Sequence, residues 1–286
     1  MAASGLHISI SAEKLFSVGD LVITNSMFTS MIVSAILITF ALAVNSQLKH
    51  TNRPTGIQNF AEFIIESLQG LVQGITGNLK KTRLFLPLIA TFFLWILLNN
   101  WLGLVPGVGT ISIVEKSEQK EYVEVQEAEH SLLVESVYAV GSEETSEDGH
   151  TTTKLVPVLR PGTADLNTTL ALAIISVLAT QIFGVTYLQL GYFKKFINFS
   201  SPIMFFVGIL ELISEFAKII SFAFRLFGNI FAGEVLLVVM AFLLPIIVPM
   251  PFYGLELFVG FIQALVFSLL SLVFFNMATE SHDEEH

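Results

Sequence analysis

The sequence predicts an all-α integral membrane protein with five membrane-embedded helices and one amphipathic interfacial helix. Three observations carry that prediction. First, 53% of the 286 residues are apolar, 26 residues are Phe, and only 13% are charged. Soluble domains carry about 25% charged residues, and so much apolar surface exceeds what one globular core can cover. Second, several charge-free runs reach the roughly 20 residues that cross a hydrocarbon core. Third, Lys and Arg alternate between successive connections, as they do when loops lie on opposite sides of a bilayer.

The elements follow in order. Residues 1–20 read as an N-terminal tail. MAASGLHISISAEKLF lacks the basic stretch and continuous apolar run of a signal peptide. Residues 21–48 form the first charge-free run. In GIQNFAEFIIESLQGLVQGITG, Phe60, Phe63, Ile64, Leu68 and Leu71 recur at helical spacing, with Glu62, Glu66, Gln69 and Gln73 largely opposite. That pattern predicts an interfacial helix over 57–79. Residues 84–114 form the second span, with Pro106 and the glycines of NNWLGLVPGVG as its stop. The segment 111–161 is an acidic extramembrane insert. YVEV and SLLVESVYAV alternate and favour a β-hairpin, and SEETSEDGHTTT reads as a solvated tip.

The third span is 166–193. The stretch 196–279 is nearly all apolar and long enough for two very long helices, divided at LLPIIVPMPFYG by Pro245, Pro249 and Pro251. With its preceding segment it forms one membrane unit over 162–280, followed by a tail at 281–286. The two first spans with the interfacial helix form another over 21–110.

Orientation comes from basic residues. Lys49, Arg53, Lys80, Lys81 and Arg83 lie in the first connection, and Lys194 and Lys195 in the third. The insert between them is acidic. The N-terminus is therefore expected outside and the C-terminus inside. The net charge of −10 argues against nucleic acid. The absence of Cys removes thiol chemistry and Cys-ligated metals. HExxH and GxxxxGK[ST] are both missing, so neither a metal nor a cofactor is expected, and His130 and His150 belong to an acidic surface.

Ionisable residues inside a span are expensive, about 2.5 to 3.5 kcal/mol each on insertion scales. Glu211, Glu215, Lys218, Arg225, Glu234 and Glu256 all fall in the last apolar stretch. Glu211 or Glu215 with Lys218 could form a local pair. Glu256 and Gln263 are seven apart and share a helix face. Arg225 stays protonated in any protein setting and needs an anion. On its own helix Lys218 and Asn229 share its face, while Glu234 lies nearly opposite and Glu211 is about four turns away. Its counter-ion is therefore expected on another helix or another chain.

RLFGNIFAGE resembles the signature of subunit a of F-type ATP synthases, the membrane stator of the proton motor. GTADLNTTLALA, FIQALVF, MATESH and NNWLGLVPG resemble further segments of that family in the same order, over roughly residues 20 to 110 and 160 to 282. The resemblance implies that Arg225 is the stator arginine, meeting a carboxylate on each subunit of an oligomeric c ring, with Asn229 on the same surface. It implies that Glu234 and Glu256 line an outer half-channel, with Gln263 close to the arginine. Glu211 and Lys218 match polar positions towards the inner side, and Asp165 an acid at the outer mouth; Glu215 is apolar in some relatives. Many bacterial relatives carry His where this chain has Glu256. The implied partners are the c ring, the peripheral-stalk b subunits and the lipid bilayer, with protons as the transported ion. ATP chemistry itself would lie in other subunits. The last two helices are strongly tilted in that family. A bacterial plasma membrane fits the compact tail and basic inner loops, with an organelle inner or thylakoid membrane as the alternative. The rival readings are a secondary transporter, for which no internal repeat is found, a passive anchor, and a sodium-coupled stator.

Overall fold

The computed structural model describes residues 12–48, 56–105, 108, 112–118, 151–189, 191–192, 196, 201–243 and 249–280. Among them, five helices are long and apolar enough to cross a membrane. These are α1 (Asn25–Gln47), α3 (Leu79–Leu102), α4 (Leu166–Leu188), α5 (Pro202–Leu243) and α6 (Pro249–Ala278). The interfacial helix is α2 (Ile57–Thr76), which ends on left-handed Gly77.

Several boundaries differ from the expected ones, each for a local reason. The first helix begins at Asn25, because β1 (Lys14–Val18) and β2 (Leu21–Thr24) form an antiparallel hairpin where a tail was expected. KLFSV and LVIT are rich in the β-branched and aromatic residues that suit strands, and Gly19 supplies the positive φ at the turn. Thr24 then caps α1 by accepting from the Met27 N–H. The second span starts five residues early, at Leu79, because Asn78 is an N-cap that accepts from the Lys80 N–H. Its first turns carry Lys80, Lys81 and Arg83, which hydropathy alone excludes. It also ends before Pro106, at Leu102. The third span ends at Leu188, not at residue 193.

The long apolar stretch divides as expected. α6 opens on Pro249, with Pro251 in its first turn, where a missing N–H costs nothing. α5 has 42 residues, about 63 Å at 1.5 Å per residue, twice a ~30 Å hydrocarbon core. Its two ends are both apolar and exposed: Ile203 and Phe206 at one, Phe242 and Leu243 at the other. Neither end suits water, so the helix must lie strongly tilted to keep both in hydrocarbon.

In the insert, β3 (Ser112–Glu118) pairs antiparallel with β4 (Thr151–Pro157), Ser112 opposite Pro157 and Glu118 opposite Thr151. This is the base of the insert. YVEV, SLLVESVYAV and most of SEETSEDGHTTT, with His130 and His150, lie outside the described residues, as do Lys49, Arg53, Lys194, Lys195, Pro245 and the tail 281–286.

Apolar helices in lipid gain little from hiding apolar surface, so close packing and polar contacts hold them together. The core lies where α3, α4, α5 and α6 meet. Phe85, Phe183 and Phe275 form an aromatic triangle with centroids 4.9, 5.0 and 5.7 Å apart. Phe92 and Phe222 both meet Phe267 edge-on, at 5.5 and 4.9 Å. Polar bonds tie the helices to one another. Asn100 donates to the Gly260 carbonyl (3.0 Å) and accepts from Thr163 (2.6 Å). Trp101 donates to the Leu257 carbonyl, and Trp95 to Ser34. Buried Ser176 and Ser271 hydrogen-bond between α4 and α6 at 2.7 Å.

Candidate functional site on the α5–α6 face

The ionisable residues of α5 fall into three groups along its length. Arg225 stands between the other two. Glu234 is nine residues beyond it and Glu215 ten before it, about 13 and 15 Å along the axis.

At the middle, Arg225 and Asn229 are both exposed on α5. Arg225 forms no ion pair among the described residues. Asn229 donates to Gln263 Oε1 at 2.6 Å, so the amide of α6 is held beside the arginine's turn. Gln263 itself is buried, and its Nε2 has no hydrogen-bond partner among the described residues. Arg225 thus presents a full positive charge on an apolar helix face with nothing among the described residues to neutralise it.

Beyond Arg225 lies the group expected on the outer side. Glu234 is paired with Arg160 and not with Arg225. Arg160 Nε and Nη2 donate to the same oxygen, Glu234 Oε2, at 3.2 and 3.1 Å. Arg160 is 4% exposed. Glu256 is buried on α6 and packs against Gly233, the residue before Glu234. A Cβ at Gly233 would fall within the Glu256 carboxylate. Glycine at that position is therefore what leaves room for the Glu256 carboxylate against α5. Asp165 is buried and caps α4, accepting from the Asn167 N–H and the Thr168 hydroxyl, both at 3.3 Å. It also lines a groove of about 770 Å³ between α1 and α4, together with Ser30, Ser34 and Thr168.

On the other side of Arg225 lies the group expected on the inner side. Lys218 donates to Glu215 at 2.8 Å and sits over the Phe274 ring at 4.7 Å, which turns it towards α6 and away from the exposed surface Arg225 occupies. Glu215, discounted on sequence, is buried, and Glu211 is half-buried one turn before it. Tyr192, just past α4, packs on Gly184 and donates to Gln181 at 2.8 Å. Burial, with Glu215 and then Glu211 nearby, pushes its hydroxyl up to about 12.

Sequence reasoning missed Arg160, Gly233 and Tyr192. For Arg160 a signal was present: a cation beside an acidic insert on the side that the charge rule keeps poor in Lys and Arg. Gly233 and Tyr192 carried none, because their roles depend on which helices touch. The described residues contain no cluster of three or more His, Cys, Asp or Glu suited to a metal.

The arrangement can do one kind of chemistry well. It holds two polar patches at opposite ends of a tilted helix, and between them a cation that cannot lose its proton. A model of the ATP synthase A chain family matches residues 27–276, most of the chain. The chain belongs to the ATP synthase A chain family, and is a multi-pass membrane subunit of the ATP synthase membrane sector.

Proposed function

We propose that this chain is the stator of the proton motor and that the two polar groups are the ends of two proton half-channels. The observation that carries the reading is Arg225: exposed on α5, unpaired among the described residues, and flanked on both sides by carboxylates. A charge so placed in hydrocarbon costs several kcal/mol unless an anion meets it. A ring of c subunits, each with a membrane carboxylate, supplies that anion in turn. The b subunits of the peripheral stalk hold the stator still against it.

In this scheme a proton enters from outside along Asp165, Glu234 and Glu256. It protonates a ring carboxylate, which Arg225 then releases. The neutral site turns into lipid at little cost, where a charged one could not. After nearly a full turn it meets the inner group, Glu211, Glu215 and Lys218, and gives up its proton there. The ionised site returns to Arg225. Asn229 and Gln263 fix the polar surface next to the arginine. Arg225 also bars a direct proton leak between the half-channels, a task for which lysine, able to lose its proton when desolvated, is less suited. Each proton contributes about 2.3 kcal/mol per 100 mV, plus the pH difference. The membrane is taken as a bacterial plasma membrane, with the N-terminus outside and the C-terminus inside.

Arg225→Ala is expected to abolish ATP-driven proton pumping in inverted vesicles while ATP hydrolysis by the detached head continues. Normal pumping by that variant would overturn the proposal.

A further inference from the structure

Arg160 is a buried cation outside the membrane helices, and no part of the scheme above uses it. Its position is set from three directions. Its backbone N–H donates to Thr29 Oγ1 at 3.2 Å. Three residues earlier, the Pro157 carbonyl at the end of β4 accepts from Asn25 Nδ2 at 3.2 Å. Three residues later, Thr163 is bonded to Asn100 of α3. The base of the acidic insert, α1 and α3 therefore hold the backbone on both sides of Arg160. From that position the guanidinium reaches Glu234 of α5.

The pairing leaves one carboxylate oxygen open. Both donors go to Glu234 Oε2, so Oε1 carries no bond from Arg160. Glu234 keeps 33% of its side chain exposed while Arg160 keeps 5%. The cation is sealed and the acid is reachable.

We infer that Arg160 is a positioning residue of the outer path: placed by the base of the insert, it keeps Glu234 ionised and turned so that Oε1 takes up and passes on each entering proton. The inference rests on the outer half-channel reading of Glu234. A proton adds to Oε1 and later leaves from it. The two N–H···Oε2 bonds persist, and Arg160 remains protonated throughout. Among the described residues, Glu13, just before β1, also acts on Glu234 electrostatically, and Glu256 of α6 lies against the preceding Gly233. Both are acids, so Arg160 is the cation of this group among the described residues. Without it, burial and then the neighbouring Glu13 would favour a protonated Glu234 that holds its proton too tightly to relay it.

The test uses the whole ATP synthase complex and a readout independent of turnover. The infrared C=O band of Glu234 is the one lost in Glu234→Gln. In Arg160→Gln the pH at which that band appears is expected to rise by about one to three units, the usual effect of removing an opposite charge at this range. Arg160→Lys is expected to titrate close to the native complex and to restore pumping in part. An unchanged titration in Arg160→Gln overturns the inference even where Arg225→Ala still abolishes pumping. A shifted titration supports it whatever Arg225→Ala does. If Arg160→Gln does not assemble, Arg160→Gln/Glu234→Gln is expected to restore its level in the membrane, because no buried charge is then left alone. A double variant as depleted as the single one overturns the inference.

Discussion

Tyr192 shows how far a single side chain of this protein depends on its neighbours. The ring fills the space that Gly184 leaves on α4, and its hydroxyl is tied to Gln181. Burial and two nearby acids push the hydroxyl up to about 12, whereas tyrosine in an unfolded chain ionises near 10. A raised folded value means that the stabilisation is complete below about pH 10 and is lost as pH climbs through about 12. The phenolate absorbance of the solubilised complex, less that of Tyr192→Phe, should therefore show a midpoint near 12. A midpoint near 10 would mean that Tyr192 is not packed as described. The same lesson applies to Arg160 and Arg225. Arg225 was visible as a costly charge and Arg160 was passed over, and only the fold distinguishes a cation with a partner in its own chain from one with none among the described residues.

Among the elements, α5 and α6 matter most, and their contact turns on Gly233. Adding a methyl group there is expected to force the buried Glu256 carboxylate out of the space it occupies against α5. Overpacking of this kind costs about 1–3 kcal/mol. Gly233→Ala should lower the melting temperature of the solubilised complex, and Glu256→Ala in the same background should recover most of the loss. If the double variant melts no higher than the single one, the clash is not with Glu256. The helices themselves were largely legible, because an apolar run of 20 residues or more has few alternatives in a bilayer. Their ends were less so. Lys80, Lys81 and Arg83 belong to α3 although they look like a loop, because hydropathy does not register an N-cap such as Asn78. The hairpin at Lys14–Val18 and Leu21–Thr24 is too short for a periodicity argument to separate from a tail. Helical spacing did separate the Glu234 and Arg225 faces, yet it could not supply Arg160, which arrives from a loop 74 residues away.

For the whole molecule, the distribution of charge has to satisfy two demands at once. The proposed orientation requires Lys and Arg to collect on the inner side, and the proposed proton path requires acids at the outer entrance. On that reading Arg160 departs from the first rule and serves the second. It is a single buried cation, so its effect on orientation is small against Lys80, Lys81 and Arg83 at the start of α3. The absence of Cys from the chain makes the orientation directly measurable. Asp20 lies exposed at the turn of the N-terminal hairpin, and Lys80 lies exposed in the first turn of α3. Between them runs α1, one full crossing, so they must face opposite sides. In intact cells a membrane-impermeant thiol reagent should label Asp20→Cys and leave Lys80→Cys untouched, and inverted vesicles should reverse the pattern. Labelling of Lys80→Cys alone in intact cells would invert the molecule and place Glu234 and its arginine on the inner side. Labelling of both from one side would remove α1 as a crossing.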